Sequence, residues 1–288
     1  GIEVVIQEET GYGKRAITAL MGNLKELRVL VNGGSSGIGL SIVKALAGEG
    51  AFVAASSRGG QRLRDTIQSL KREGLEVFPL IMDVENRESI AEATRLIEAN
   101  WGGIDVLFNS AGVWMNAFNP NFTEKSRPFY SFTEEQIRKA LEINLMGYLA
   151  VIRAFIPSFL AQGKGRIVNV GMDEQLFFTR GFFPITVSRG ATFAMTMAMA
   201  ADLEGSGITA NLLLPGGFVN TPSMPSSLAE KHFGTLLSPD VVGEAARFLC
   251  SEEAEGVNGQ VIRANGFGEW LRDWRRKKTD ENSQGMRS

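Results

Sequence analysis

The sequence predicts a doubly wound α/β fold built on a parallel sheet, in a single domain. Short apolar runs alternate with helical patterns of about ten or more residues, the order that covers a parallel sheet on both faces. The first apolar run, Val29-Leu30-Val31, ends in the glycine-rich turn Asn32-Gly33-Gly34-Ser35-Ser36-Gly37-Ile38-Gly39. Ile38, Ile42, Val43 and Leu46 then recur at helical spacing. No internal repeat and no linker marks a second domain.

Residues 1–24 form an N-terminal extension with a polar opening and room for a short amphipathic helix around Arg15–Leu24. The domain spans 25–271. Strands are expected at Arg28–Val31, Phe52–Ser56, Val77–Ile81, Val106–Asn109, Arg166–Val170, Thr209–Leu213 and Gln260–Arg263. Helices are expected at Gly37–Ala47, Gln61–Arg72, Glu88–Asn100, Pro184–Leu203 and Pro239–Cys250. A long helix over Thr133–Leu160 should kink or break near Pro157, whose ring removes a donor. The tail, 272–288, is charged and expected to fray.

With 288 residues the chain can bury a full core. A net charge of −2 argues against nucleic-acid and membrane-surface partners. A single cysteine, Cys250, excludes an intrachain disulfide and suits a reducing, cytoplasmic setting. With one histidine, His232, no Cys/His metal cluster is expected. No apolar run reaches about 18 residues, so no transmembrane helix is expected. The opening residues lack the basic-then-apolar order of a signal peptide.

A strand, a glycine turn and a helix in succession make a dinucleotide-binding unit. Glycines let a pyrophosphate approach the N–H groups at the helix N-terminus. The spacing here is G-x-x-x-G-x-G, not G-x-G-x-x-G, and a plain connecting loop is the alternative.

Further stretches, in order, resemble the short-chain dehydrogenases/reductases, a Rossmann-like family. The glycine turn is similar to T-G-x-x-x-G-I-G, with Asn32 for Thr. Asp83-Val84 resembles the acidic pair at the adenine, and Asn109-Ser110-Ala111-Gly112 resembles N-N-A-G. Asn144 resembles the helix asparagine, Gly165–Val170 the strand before the catalytic serine, and Leu214-Pro215-Gly216-Gly217 with Val219 the P-G motif. The resemblance implies a nicotinamide cofactor held by Gly33, Ser35, Ser36, Gly37, Ile38, Gly39, Ser57, Arg58, Asp83, Val84, Asn109, Ala111, Gly112, Arg189, Pro215, Gly216 and Val219. It also implies a homodimer or homotetramer, with the apolar Ala191–Ala201 run as a seam that would equally serve the core.

NAD-preferring members place a carboxylate at the end of strand two. This chain has Ser56-Ser57-Arg58, and a guanidinium with hydroxyls suits a 2′-phosphate, so NADP(H) is expected. Arg58 as a solvated surface residue is the alternative.

The family's Ser, Tyr and Lys are missing. In register with them stand Ile185 for tyrosine, Arg189 for lysine, and Asp173 or Met172, 12 or 13 residues upstream of Ile185, for serine. Asn144 alone survives, and Tyr148 and Tyr130 are out of register. Ketone reduction makes an alkoxide that needs an acid or oxyanion stabiliser nearby. Reduction of an iminium gives a neutral amine and needs only an anion, which Asp173 could supply, with Arg189 keeping the ribose contact. Asp173 and Glu174 are also read as cap or loop acids.

Loop aromatics suggest a large apolar pocket, with Trp114, Arg127, Met172, Phe178 and Ile185 lining it, for a bulky hydrophobic small molecule. Packing under a long loop or at an interface is the alternative. His232 is read as a surface residue. The reading is an NADP(H)-dependent reductase with a rebuilt site, reducing an activated C=N or similar bond, with cyclisation coupled to it in specialised metabolism. A non-redox cyclase, isomerase or lyase and a silent nucleotide-binding protein are the alternatives.

Overall fold

Side chains alternate along the strands, and this alternation divides the interior into two apolar layers. The computed structural model describes residues 24–224 and 236–285, with side chains as far as residue 280. The helix expected around Arg15–Leu24, but for its last residue, and the lone His232 lie outside the described residues. The strands are β1 (Arg28–Asn32), β2 (Phe52–Ser57), β3 (Val77–Ile81), β4 (Val106–Asn109), β5 (Gly165–Val170), β6 (Ile208–Leu214) and β7 (Val261–Arg263). They form one parallel seven-stranded sheet in the order β3-β2-β1-β4-β5-β6-β7. The helices are α1 (Gly37–Ala47), α2 (Gly60–Arg72), α3 (Arg87–Trp101), α4 (Glu134–Leu141), α5 (Gly147–Gln162), α6 (Phe183–Asp202), α7 (Gly243–Cys250) and α8 (Phe267–Gly285). The result is the single-domain, doubly wound fold that the sequence predicts.

Val29 and Val31 of β1 face one layer and Leu30 the other, the period of two that a pleated strand imposes. Ile42, Val43 and Leu46 of α1 enter the first layer, joined by α2, α7 and α8. Apolar residues of α3, α5 and α6 close the second. Because β1 pairs with both β2 and β4, the strand order reverses there. The carboxyl ends beside such a reversal form the crevice in which doubly wound sheets bind ligands.

Two expectations need correcting. The helix over Thr133–Leu160 is α4, a wider π turn at Glu142–Met146, and then α5, which runs on through Pro157. Pro157 lies on the exposed face of α5, so its ring meets no neighbouring element of the core. The interruption falls at Asn144 because that residue is bonded outside the helix. Its side chain binds Val113, and its carbonyl accepts from Thr192 Oγ1 at 2.8 Å. The tail expected to fray from Arg272 is helical to Gly285. Trp270 and Trp274 stack at 6.1 Å and both meet Phe248 of α7 edge-on, so an aromatic stripe holds a segment whose charges suggested otherwise.

Glu134–Gln162 also holds an 18-residue window of mean hydropathy 1.6, enough for a membrane span by length and composition. Half of that window is buried inside the protein, as in a core helix.

Candidate active site

The cradle comes from β1 and α1. Gly33 has φ +83°, and a Cβ there would strike the backbone of Ala111. A Cβ on Gly39 would strike the carbonyl oxygen of Gly33, so α1 approaches the turn only because residue 39 is glycine. The N-terminus of α1 opens onto a cavity of about 480 Å³, lined there by Gly33, Ser35, Ser36, Gly37 and Ile38. Ser57, Arg58 and Arg62, at and just beyond the end of β2, line the same cavity, with Asp83, Val84 and Glu85 after β3. Arg58 is two-thirds exposed, 3.8 Å from Glu85, which also pairs with Lys139.

Beneath the cradle runs a row of buried polar side chains. Ser56 Oγ donates to Asn32 Oδ1 (3.2 Å), Asn32 Nδ2 to Asn109 Oδ1 (3.0 Å), Asn109 Nδ2 to Asn169 Oδ1 (3.0 Å), and Asn169 Nδ2 to Thr196 Oγ1 (3.0 Å). The parallel register sets these residues side by side, so the row ties β2, β1, β4 and β5 to α6. Each link satisfies a group that would be costly to bury alone. Asn109 thus belongs to the floor and does not line the cavity.

Asn144 is fully buried and spent on the loop after β4. It accepts from Val113 N (2.9 Å) and donates to Val113 O (3.3 Å) and to Ser188 Oγ (3.0 Å). Arg189 lines the cavity, and its Nη1 donates to Tyr148 Oη (3.0 Å) and to Val170 O (3.2 Å). A Cβ on Gly112 would crowd the Arg189 Nη2 and the Oδ1 of the buried Asn144. Tyr148 is fully buried and donates to Val170 O at 3.2 Å.

Asp173 also lines the cavity, at 7% exposure. Its Oδ2 accepts from the amides of Gly216 (2.9 Å) and Gly217 (3.1 Å), and Oδ1 lies 3.5 Å from Arg263 Nε. Burial pushes its carboxyl above the ordinary range, and the Gly216 bond, the Arg263 charge and the Gly217 bond offset only part of that. Glu174 is ion-paired with Arg263 at 2.5 Å. Met172 lines the cavity and belongs to an apolar cluster with Met115, Phe118, Phe182 and Met224.

The short chain dehydrogenase family profile matches residues 27–232. The chain belongs to this family. It is 29% identical over 255 residues to the gluconate 5-dehydrogenase of Gluconobacter oxydans, covering 85% of this chain and 95% of that one. It is 31% identical over 248 residues to a 3-oxoacyl-acyl-carrier-protein reductase of Thermotoga maritima, covering 82% and 95%. The crystal structure of gox2181 matches with a TM-score of 0.73 at 27% identity, covering 86% of this chain and 98% of that one. These relatives place the chain in an oxidoreductase family that uses NAD(P)(H).

In this short-chain dehydrogenase the cavity also has apolar walls, among them Val113, Trp114, Ile143, Leu176, Phe218 and Met224. Trp114 meets Phe182 (5.7 Å, 89°) and Phe218 (6.4 Å, 78°) edge to face. Three residues expected in this pocket are elsewhere. Ile185 is fully buried in the cluster of Met172 and does not line the cavity. Arg127 staples its own loop, donating to Phe118 O at 3.2 Å and to Ser131 O, with its guanidinium 4.5 Å over the Phe132 ring. Phe178 is 90% exposed. Sequence reasoning passed over Arg62, Glu85, Phe218 and Met224, which do line the cavity. Arg62 carried a usable signal, four residues after Arg58 at the start of a helix. Among the described residues, no group of His, Cys, Asp and Glu could hold a metal ion.

Proposed function

We propose that the protein is an NADP(H)-dependent reductase of a bulky apolar substrate whose double bond is already polarised, above all a cationic C=N. One observation carries this reading: the same cavity is lined by the glycine cradle with Arg58 and Arg62 and by an apolar wall with Met172. The nucleotide, when bound, supplies the hydride. The Gly33–Ile38 turn and the α1 N-terminus would hold its pyrophosphate, Asp83 and Val84 its adenine, and Arg58 with Arg62 a 2′-phosphate. Arg189 would anchor the nicotinamide-side ribose, and Pro215 to Val219 would cover that end.

The residues at the reacting end decide the substrate class. A thioether at Met172 carries no proton to give to an alkoxide, and Ile185 is a buried alkane. An iminium substrate becomes a neutral amine without that proton. Asp173 bears negative charge on the cavity, weakened by two amides and Arg263, and a carboxyl held high is suited to protonate a neutral imine.

Calorimetric titration with NADPH and NADH tests the reading. NADPH is expected to bind much more tightly than NADH. In the Arg58→Gln, Arg62→Gln double variant NADPH should weaken about 10- to 100-fold, because charge-assisted bonds are worth about 1.5–3 kcal/mol, while NADH is unaffected. Failure of both nucleotides to bind the wild-type protein overturns the proposal. Conversion of a bulky substrate with NADPH left unconsumed would make the enzyme non-redox.

A further inference from the structure

We propose that Asp173 is a positioning residue, fixing the start of the Pro215–Met224 segment and so the wall that this segment gives the cavity. Its bearing on nucleotide binding rests on the reading above.

The neighbouring strands β5 and β6 stay in register to Val170 and Leu213, and the Gly171 amide makes one more bond, to Leu213 O, at 3.0 Å. Past that point, among the described residues, β5 makes no further backbone bond to Gly216 or Gly217. Asp173 takes over. Both glycines have positive φ, +89° and +156°, and their successive amides converge on one oxygen, Oδ2. The opposite side of the turn is held from β7, where Asn265 N donates to Pro215 O at 2.9 Å. The next backbone anchor downstream is Leu237, which donates to Phe218 O (2.8 Å) and accepts from Asn220 N (2.9 Å).

Between these anchors lie Gly217, Phe218 and Val219, all facing the cavity. The carboxylate is therefore what fixes this stretch from the β5 side. Arg263, 3.5 Å from Oδ1 and paired with Glu174, steadies the carboxylate from the β7 side. Amides left without an acceptor in this wall would open it.

Asparagine keeps an oxygen for both amides and alanine keeps none. The full chain is compared as wild type, Asp173→Asn and Asp173→Ala, by amide exchange without ligand and by NADPH titration. Asp173→Ala should speed exchange at Gly216 and Gly217 by about tenfold or more and weaken NADPH about tenfold. Exchange at Val168 and Leu212 in the strands should not change. Asp173→Asn should stay within about threefold of wild type on both readouts, a rescue that a purely electrostatic role would not give. If Asp173→Ala does not fold, Asp173→Ser, too short to reach both amides, replaces it with the same expectations.

Wild-type exchange at the two glycines in the alanine variant overturns the inference. So does an asparagine variant as loose as alanine, or a loss of protection spread through β5 and β6. If wild type binds no NADPH while the alanine variant still frees the two amides, the nucleotide reading fails and the positioning stands. If wild type and the alanine variant bind NADPH equally and exchange at the two glycines is also unchanged, the positioning fails and the nucleotide reading stands.

Discussion

Ile185 is completely buried among Met115, Phe118, Met172 and Phe182, and that packing limits what one substitution can achieve. A tyrosine there adds a ring and a hydroxyl to a filled site. Ile185→Tyr is expected to cost about 1–3 kcal/mol in urea unfolding. It should confer no ketone reduction with NADPH, because the side chain it replaces does not reach the cavity. Ketone turnover at unchanged stability would show instead that the corner is already shaped for a phenol. The residues misplaced by sequence reasoning share a cause. Arg127, Phe178 and Ile185 stand in loops or helix starts near the carboxyl ends of strands, and composition there is the same whether a side chain turns to the cavity, the core or solvent. Asp173 and Arg189, found as departures from a family pattern, were legible because the pattern fixes their place in the fold.

Among the elements, β1 and β4 are clasped at the end of the sheet opposite the cavity. Arg28 N and Nε donate to Asp105 Oδ2 at 2.9 and 3.0 Å, Nη2 to Oδ1 at 2.8 Å, and Nη1 to Trp101 O at 2.8 Å. Burial pushes Asp105 up, but its bonds with Arg28 outweigh that and hold the carboxyl below its ordinary value. A carboxyl lowered by folding contributes stability that is complete above its unfolded value, about 3.9, and is lost as pH falls through the folded one. Asp105→Asn should therefore cost about 1–3 kcal/mol near pH 7, and the gap to wild type should shrink near pH 3. Denaturant curves at the two pH values check this, and an equal gap at both would assign the loss to packing. Strands and helices were legible because periods of 2 and 3.6 residues are written in apolar spacing. The π turn at Glu142–Met146 was not, since its cause is a set of bonds from Asn144 to residues 31 and 48 positions away. The aromatic stripe of α8 was hidden among its charges.

At the level of the whole molecule, α6 turns polar side chains inward and apolar ones outward. Its polar Ser188, Thr192 and Thr196 face inward and bond the Asn144 side chain, the Asn144 carbonyl and Asn169, each of them fully buried. Met195 and Met199 pack at the edge of the second layer. Ala194 and Ala198 are exposed and Phe193 and Met197 half-buried, an apolar stripe at helical spacing on the outer face. A helix that spends its polar groups inside and turns methyls and thioethers outward gains by pairing with a copy of itself across a two-fold axis. The protein is expected to sediment as a homodimer or homotetramer. Met197→Glu places a charge in the stripe, where burial would cost several kcal/mol, and should shift the population to smaller species. Its NADPH affinity should hold, since Met197 does not line the cavity. A wild-type protein that sediments as a monomer at about 10–100 μM would leave the stripe without a partner and remove the oligomer from the reading, because a symmetric interface of about 1,600 Å² normally persists at such concentrations.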